Sequence, residues 1–431
     1  MFGVGRLSGV LRHRDFRYLW LAQSSSVIGD CIVLVALALF VIDLTGSASD
    51  LGLVLAAQSL PLVAFLLIGG VWADRLPRHR VMIATDLVRF ALHAALAFLI
   101  FSGSVQLWSL IVIEALFGTA EAFFRPAATG LLPQTVPEGE IQQANALSAL
   151  SNNFGEFAGP ALATALVLGA GAGWAFALDA GTFLLSAAFL ARVRPRRRGA
   201  PAAVPSTPAG VTVWSEMREG SREVRSRAWV WGTLTAFCVA LFCGLAPWFV
   251  LGPVVAREQY GHIGVYGLVA AAFGIGTIAG SLLGVRWRPH YPMRSAMFAI
   301  LLWPPAAVMY AAGITLFIII PITVIAGAGI ALFDVWWLTA LAERIPADKL
   351  SRVSSYDWMV SLALLPLGYV LAGPLANVFG AVEVLLGGSV LAGVALAVGL
   401  LPRETRMLVR VGAGESVAAV NEPFPGLART P

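Results

Sequence analysis

Several ionisable residues lie inside long apolar runs of this 431-residue chain, where each is a candidate for proton or cation chemistry. Asp30 stands about twelve residues into the first run, after Gly29, with no other charge within one helical turn in sequence. A carboxyl in a low-dielectric setting favours its neutral form and can load and release a proton. Asp30 is therefore the first choice for proton coupling; the alternative is a carboxyl neutralised by an arginine from another segment. Glu114 sits deep in the fourth run with no positive residue near it in sequence, and offers a second site for a proton or a cationic ligand. Glu156, in the fifth run, joins these two. Other charges are spaced as pairs. Glu121 and Arg125 are four apart and Asp86 and Arg89 three apart, each couple on one helical face. Asp179 and Asp334 read as structural. Trp248 and Trp336, with Asp30 and Glu114, could line a substrate cavity, since aromatic faces bind lipophilic cations; a lipid-facing or interfacial belt accounts for the same tryptophans.

The elements that must position these residues follow from composition. Apolar residues make up 58% of the chain and charged residues 12%. A soluble domain holds about 45–50% and about 25%, so lipid must solvate the excess. A spanning helix needs about 20 mainly apolar residues. Twelve such runs start near Tyr18, Leu51, Val81, Leu107, Asn145, Gly173, Trp229, Gly264, Ser295, Thr315, Asp357 and Val382. Backbone groups in lipid must be satisfied internally, which makes these runs helices. The expected fold is an all-α integral membrane protein of twelve transmembrane helices in two pseudo-symmetric six-helix bundles. Residues 1–191 form the first bundle, 192–227 a basic, Pro-rich cytoplasmic linker, 228–403 the second bundle, and 404–431 a disordered cytoplasmic tail. Arginines before the first span and after spans two, six, eight and twelve place both termini in the cytoplasm. The first apolar run is too long for a cleaved signal peptide.

The halves resemble each other. Gly52-Leu53-Val54 is matched by Gly267-Leu268-Val269, and Gly118 to Pro137 aligns without gaps on Gly327 to Pro346. That alignment pairs Phe124 with Phe333 and Arg125 with Asp334, which points to a charge pair across the two halves. Gly159-Pro160 is echoed by Gly373-Pro374. Two parallel repeats around a central site are the architecture of major facilitator transporters.

Individual motifs carry the same resemblance. GGVWADRLPRHR, residues 69 to 80, is similar to the loop signature between helices two and three of that superfamily, with Gly70, Asp74, Arg75, Arg78 and Arg80 in the motif positions and Pro77 replacing a usual glycine. The resemblance implies a gate in which Asp74 faces the N-terminus of helix eleven. Gly155, Gly159 and Pro160 resemble the helix-five motif of exporters, where small residues permit close packing and proline bends the span. HRDFRYLW, LTGSASDLG and LLPQTVPEGEIQQANAL resemble the third group of drug:proton antiporters, which includes macrolide efflux proteins and the enterobactin exporter. Many superfamily antiporters carry an arginine where Glu114 stands.

These features define the expected function. The resemblance implies export of lipophilic or cationic small molecules by proton antiport; a dedicated exporter of an endogenous siderophore or lipid is the alternative. The chain has no Walker A sequence, no HExxH and no CxxC, so neither ATP hydrolysis, enzymatic activity nor a bound metal is expected. The expected cofactor is none, with a proton gradient as the driving force. The expected partners are a small-molecule substrate, protons and the bilayer, with no nucleic acid, and the protein is expected to be a monomer in the bacterial inner (plasma) membrane.

Overall fold

The computed structural model describes residues 9–137, 140–194, 224–345 and 359–410, with residues 222, 353 and 357. Most of the linker and the tail beyond Arg410 lie outside the described residues, as does the expected start of the eleventh span apart from Asp357. The described residues form helices α1 (Arg14–Thr45), α2 (Ala48–Arg75), α3 (Arg78–Phe101), α4 (Leu107–Leu131), α5 (Ile141–Gly169) and α6 (Ala172–Leu190) in the first half. The second half holds α7 (Ala228–Ala240), α8 (Ala246–Tyr260), α9 (Gly264–Arg286), α10 (Pro292–Ile300), α11 (Trp303–Ala311), α12 (Leu316–Arg344), α13 (Leu365–Phe379), α14 (Ala381–Val398) and the short α15 (Arg403–Met407).

Ten helical stretches of the described residues are long and apolar enough to cross a membrane. The other two expected spans are helical but differ in kind. The fifth is α5, whose first half carries Gln142, Gln143, Asn145, Asn152 and Asn153, so only Ala158–Gly169 counts as apolar helix. The ninth is broken into two nine-residue helices at Leu301-Leu302. Pro304 and Pro305 have no N–H to donate to the carbonyls of Ile300 and Leu301, so the helix cannot run through. The seventh span holds a different irregularity: a π-helical segment, Leu241–Leu245, joins α7 to α8 in one 33-residue stretch.

Local chemistry sets the helix ends. Gly46 takes φ 66° after α1, and the Ser47 hydroxyl accepts the Asp50 N–H at 3.2 Å to start α2. This two-residue connection makes α1 and α2 antiparallel neighbours. We call the end of the first bundle at which α1 begins its terminal face, and the end at the α1–α2 connection its distal face.

The chain forms two compact units. One comprises residues 1–205 with 246–274 and 365–385; the other comprises 206–245, 275–364 and 386–431. The first unit therefore holds the whole first bundle together with the distal parts of the second half. Inside it, α2 packs on α4, α3 on α6, and α1 on both α5 and α6. Its distal end is closed by close backbone approaches. Gly52 meets the Tyr369 carbonyl, Gly373 meets the Ser49 backbone, and Gly267 meets the Thr164 side chain. A Cβ at any of the three would collide with its neighbour. Arg257 and Asp43 add an exposed ion pair at 3.5 Å.

Candidate functional site

Four helices of the first bundle point ionisable side chains at one another. On α3, Asp86, Arg89 and His93 are spaced i, i+3 and i+7, which puts all three on one face. On α6, Asp179, Thr182, Phe183 and Ser186 form the matching face. Glu114 projects from α4 and Asp30 from the middle of the 32-residue α1. Gly29 makes room beside Asp30, because a Cβ there would overlap the Asp179 carboxylate.

The central pair is Arg89 and Asp86, 2.5 Å apart and buried to within 2% of full enclosure. The Ser186 hydroxyl donates to the second Asp86 oxygen at 2.6 Å. The Arg89 guanidinium is sandwiched between Phe124 at 4.0 Å and Phe183 at 4.4 Å, so cation–π contact replaces part of the water it has lost. Asp30 approaches from α1, its carboxylate 3.9 Å from Arg89 and 38% exposed. It is the one acidic group of the cluster with exposed surface.

One helical turn along α3, His93 donates from Nδ1 to Asp179 at 2.5 Å. Its Nε2 faces Glu114 at 3.8 Å, beyond hydrogen-bond reach. Phe117 stacks on the imidazole at 4.3 Å with the planes 5° apart, and Phe176 and Phe183 meet it edge-on. His93, Glu114 and Asp179 have no exposed surface. A dry aromatic box thus encloses one imidazole and two carboxyls.

This geometry supplies two partners that lie far off in sequence. Arg89, which pairs with Asp86, also faces Asp30 at 3.9 Å, the arrangement given above as the alternative for Asp30. Glu114 has a basic neighbour in His93 on the adjacent helix. Sequence distance hid both contacts because they cross between helices. His93 itself was missed among five scattered histidines, although its i+4 spacing from Arg89 placed it on the same face.

The remaining expected residues fall elsewhere. Arg125 and Glu121 pair at 2.5 Å on α4. Asp334 is exposed on α12, in the other compact unit. Arg78 donates to the Gly130 carbonyl at 2.5 Å, tying the start of α3 to the last turn of α4, where helix carbonyls lack partners. Arg80 is exposed. The side chains of Asp74, Arg75 and Glu156, and the surroundings of Gly70, lie outside the described residues. Gly155 and Gly159 face Val27 and Cys31 on α1, and a Cβ at Gly159 would overlap Cys31; the small residues and Pro160 let α5 lie close against α1. Trp248 leans on Tyr266 with ring centroids 5.7 Å apart. Trp336 is 2% exposed, and its indole donates to the Trp287 carbonyl just beyond the end of α9. Of the four residues expected around a cavity, Glu114 and Trp336 are thus enclosed by packing, while Asp30 and Trp248 keep some exposure. Among the described residues, no group of three or more His, Cys, Asp or Glu has the arrangement to hold a metal ion.

Comparison with known proteins agrees with this architecture. BacE of Bacillus amyloliquefaciens, named as a bacilysin exporter, is 29% identical over 274 residues, 63% of this chain and 66% of that protein. Macrolide efflux protein A of Streptococcus pyogenes is 27% identical over 151 residues, 35% of this chain and 37% of that protein. The chain thus spans less than two thirds of the length of these relatives. A crystal structure of a bacterial homologue of the human lysosomal transporter Spinster, inward-facing and unoccupied, superposes with a TM-score of 0.69 over 95% of this chain and 99% of that one, at 16% identity. That likeness shows the fold. The family model of the Major Facilitator Superfamily matches residues 19–363, and the chain belongs to that superfamily as a multi-pass membrane transporter.

Proposed function

We propose that this chain is a secondary active exporter of lipophilic or cationic small molecules, driven by proton antiport and working by alternating access. The observation that carries the reading is Asp30: a partly exposed carboxyl at mid-length of α1, facing the otherwise buried Arg89 at 3.9 Å. Protonating Asp30 removes its attraction to Arg89, so a proton taken from one side of the membrane changes the contact between α1 and α3. A cationic substrate competes for the same carboxylate, which couples proton and substrate by exclusion. The arginine-rich segments orient both termini to the cytoplasm of a bacterial cell, so the distal face lies outside and the exchange amounts to export. Names of relatives support the direction, since both are exporters or efflux proteins.

The second reading is a dedicated exporter of one endogenous product. The match to BacE is longer than the match to the macrolide efflux protein, which favours it.

Proteoliposomes loaded with a lipophilic cationic dye test the proposal. An imposed pH gradient drives dye movement in the wild type, whereas Asp30→Asn retains dye exchange and loses the gradient response. Normal coupling in Asp30→Asn removes Asp30 from the mechanism. Absence of dye movement in the wild type under any gradient removes polyspecific efflux and leaves the dedicated exporter.

A further inference from the structure

Buried carboxyls almost always have a hydrogen-bond donor, and Glu114 has none. Neither of its oxygens has a hydrogen-bond partner, although the residue is wholly buried. His93 Nε2, 3.8 Å away, has none either. The other ring nitrogen is committed to Asp179. Two enclosed polar groups face each other at 3.8 Å, a gap that a small side-chain movement must narrow before one proton can bridge it.

The charge balance requires protons here. The charges that act on His93 and Glu114 come from Asp179 on α6, Asp30 on α1 and Glu121 on α4; Asp86 and Arg89 share the α3 face with His93, and Arg125 pairs with Glu121. Arg89 is matched by Asp86 and Arg125 by Glu121. Asp30, Glu114 and Asp179 then remain against one imidazole. Asp30 can be hydrated; Glu114 and Asp179 cannot. Unpaired buried ions are strongly disfavoured, so the enclosed group retains protons instead.

We propose that Glu114 and His93 form a second proton site, in which one proton passes between Glu114 Oε1 and His93 Nε2 when the two side chains close from 3.8 Å to hydrogen-bond distance, while the Nδ1 proton is held against Asp179. With the shared proton on Oε1, the imidazole is neutral beside a carboxylic acid. With it on Nε2, an imidazolium lies between two carboxylates. Transfer breaks one O–H bond, forms one N–H bond, moves no electrons and leaves the net charge unchanged. Phe117, Phe176 and Phe183 shut the ring away from water, so the proton leaves only when the helices move. A role for this site in transport rests on the proton-antiport reading; the site itself does not.

Infrared difference spectra of the full chain in lipid vesicles, titrated from about pH 5 to about pH 9, test it through the C=O stretch of protonated carboxyls. The expected result is a band that Glu114→Gln removes and Asp30→Asn retains. His93→Asn should move the pH at which that band is lost by about one unit or more. Identical spectra for the wild type and Glu114→Gln overturn the proposal, as does a Glu114 band that ignores His93→Asn. If His93→Asn fails to fold, ring-15N labelling of the histidines in the wild type and Glu114→Gln reads the same coupling. One imidazole must then respond to the loss of Glu114, and no response overturns the proposal. Failure of wild-type dye antiport with these bands present removes the polyspecific-efflux reading and leaves the site. Intact antiport with unchanged Glu114→Gln spectra removes the site alone.

Discussion

The same aligned position does opposite work in the two halves. Phe124 in α4 lies beneath the Arg89 guanidinium at 4.0 Å. Its counterpart Phe333 in α12 stacks on other rings, Phe237 at 5.4 Å and Trp337 at 6.2 Å, with Trp229 edge-on to Trp337. The contrast extends to buried charge. Among the described residues, the first unit buries Asp86, Arg89, His93, Glu114 and Asp179. In the second, the buried Ser and Thr are Thr233, Thr277, Thr323, Ser361, Ser389 and Thr405, and among the described residues no Asp, Glu, Arg, Lys or His is buried there. Extending the gapless repeat by four residues sets Glu114 against Thr323. The second unit's groove of about 510 Å³ continues the pattern, since Ser389 is its one polar lining residue. Among the described residues, buried charge is thus concentrated in the first unit. Charge gathers where a few carboxyls can share one arginine and one histidine, because each additional buried ion must find a partner.

The largest effect should come from removing the cation that permits this concentration. Arg89→Leu leaves Asp86 with a single hydroxyl partner and Asp30 with none from α3, and should cost about 3–5 kcal/mol, read as a fall in thermal stability of the purified protein. Asp86→Leu combined with Arg89→Leu should recover most of that loss, because the double change buries no unpaired charge. A double variant no more stable than the single one would mean that Arg89 acts mainly through its aromatic packing.

The converse experiment moves charge into the second unit. Thr323→Glu places a carboxyl at the repeat position of Glu114 without the surrounding arginine and histidine, and should cost roughly 2–4 kcal/mol. Thr323→Val, which removes only a hydroxyl, should cost less than about 1.5 kcal/mol. Equal effects in the two variants would show that steric fit, not charge, separates the halves at this position.

What the sequence made legible follows the same division. Period and composition exposed much of what has a local cause: the long apolar helices, the Asp86–Arg89 and Glu121–Arg125 pairs at helical spacing, and the glycines that let α5 approach α1. Contacts between helices left no such trace. Asp30 and Arg89 are 59 positions apart in the chain, and His93 and Asp179 are 86 apart. Nothing in either local window records that they meet. His93 could have been found from its register with Asp86 and Arg89, which requires reading three residues as one face instead of two as a pair. The break at Pro304 and Pro305 was also present in the sequence, where the apolar run concealed it.

The smallest effect belongs to charges at the edge of the bilayer, where water does most of the solvating. Glu140, just before α5, lies 2.9 Å from His13 and 2.5 Å from Arg12, which precede α1. The hydrogen bond from His13, followed by that from Arg12, holds the Glu140 carboxyl below its ordinary range. A carboxyl lowered by folding contributes stability above its unfolded value, about 4.3, and loses that contribution as pH falls through the lower folded value. Glu140→Gln should therefore lower the thermal midpoint slightly at neutral pH, and the difference from the wild type should shrink below the unfolded value and vanish once the pH is below the lowered folded value. A difference that persists in acid would assign the residue's contribution to packing. A loss as large as that of Arg89→Leu would mean that the segment before α1 is held as firmly as the buried cluster, and would erase the contrast between enclosed and water-facing charge on which the comparison of the two units depends.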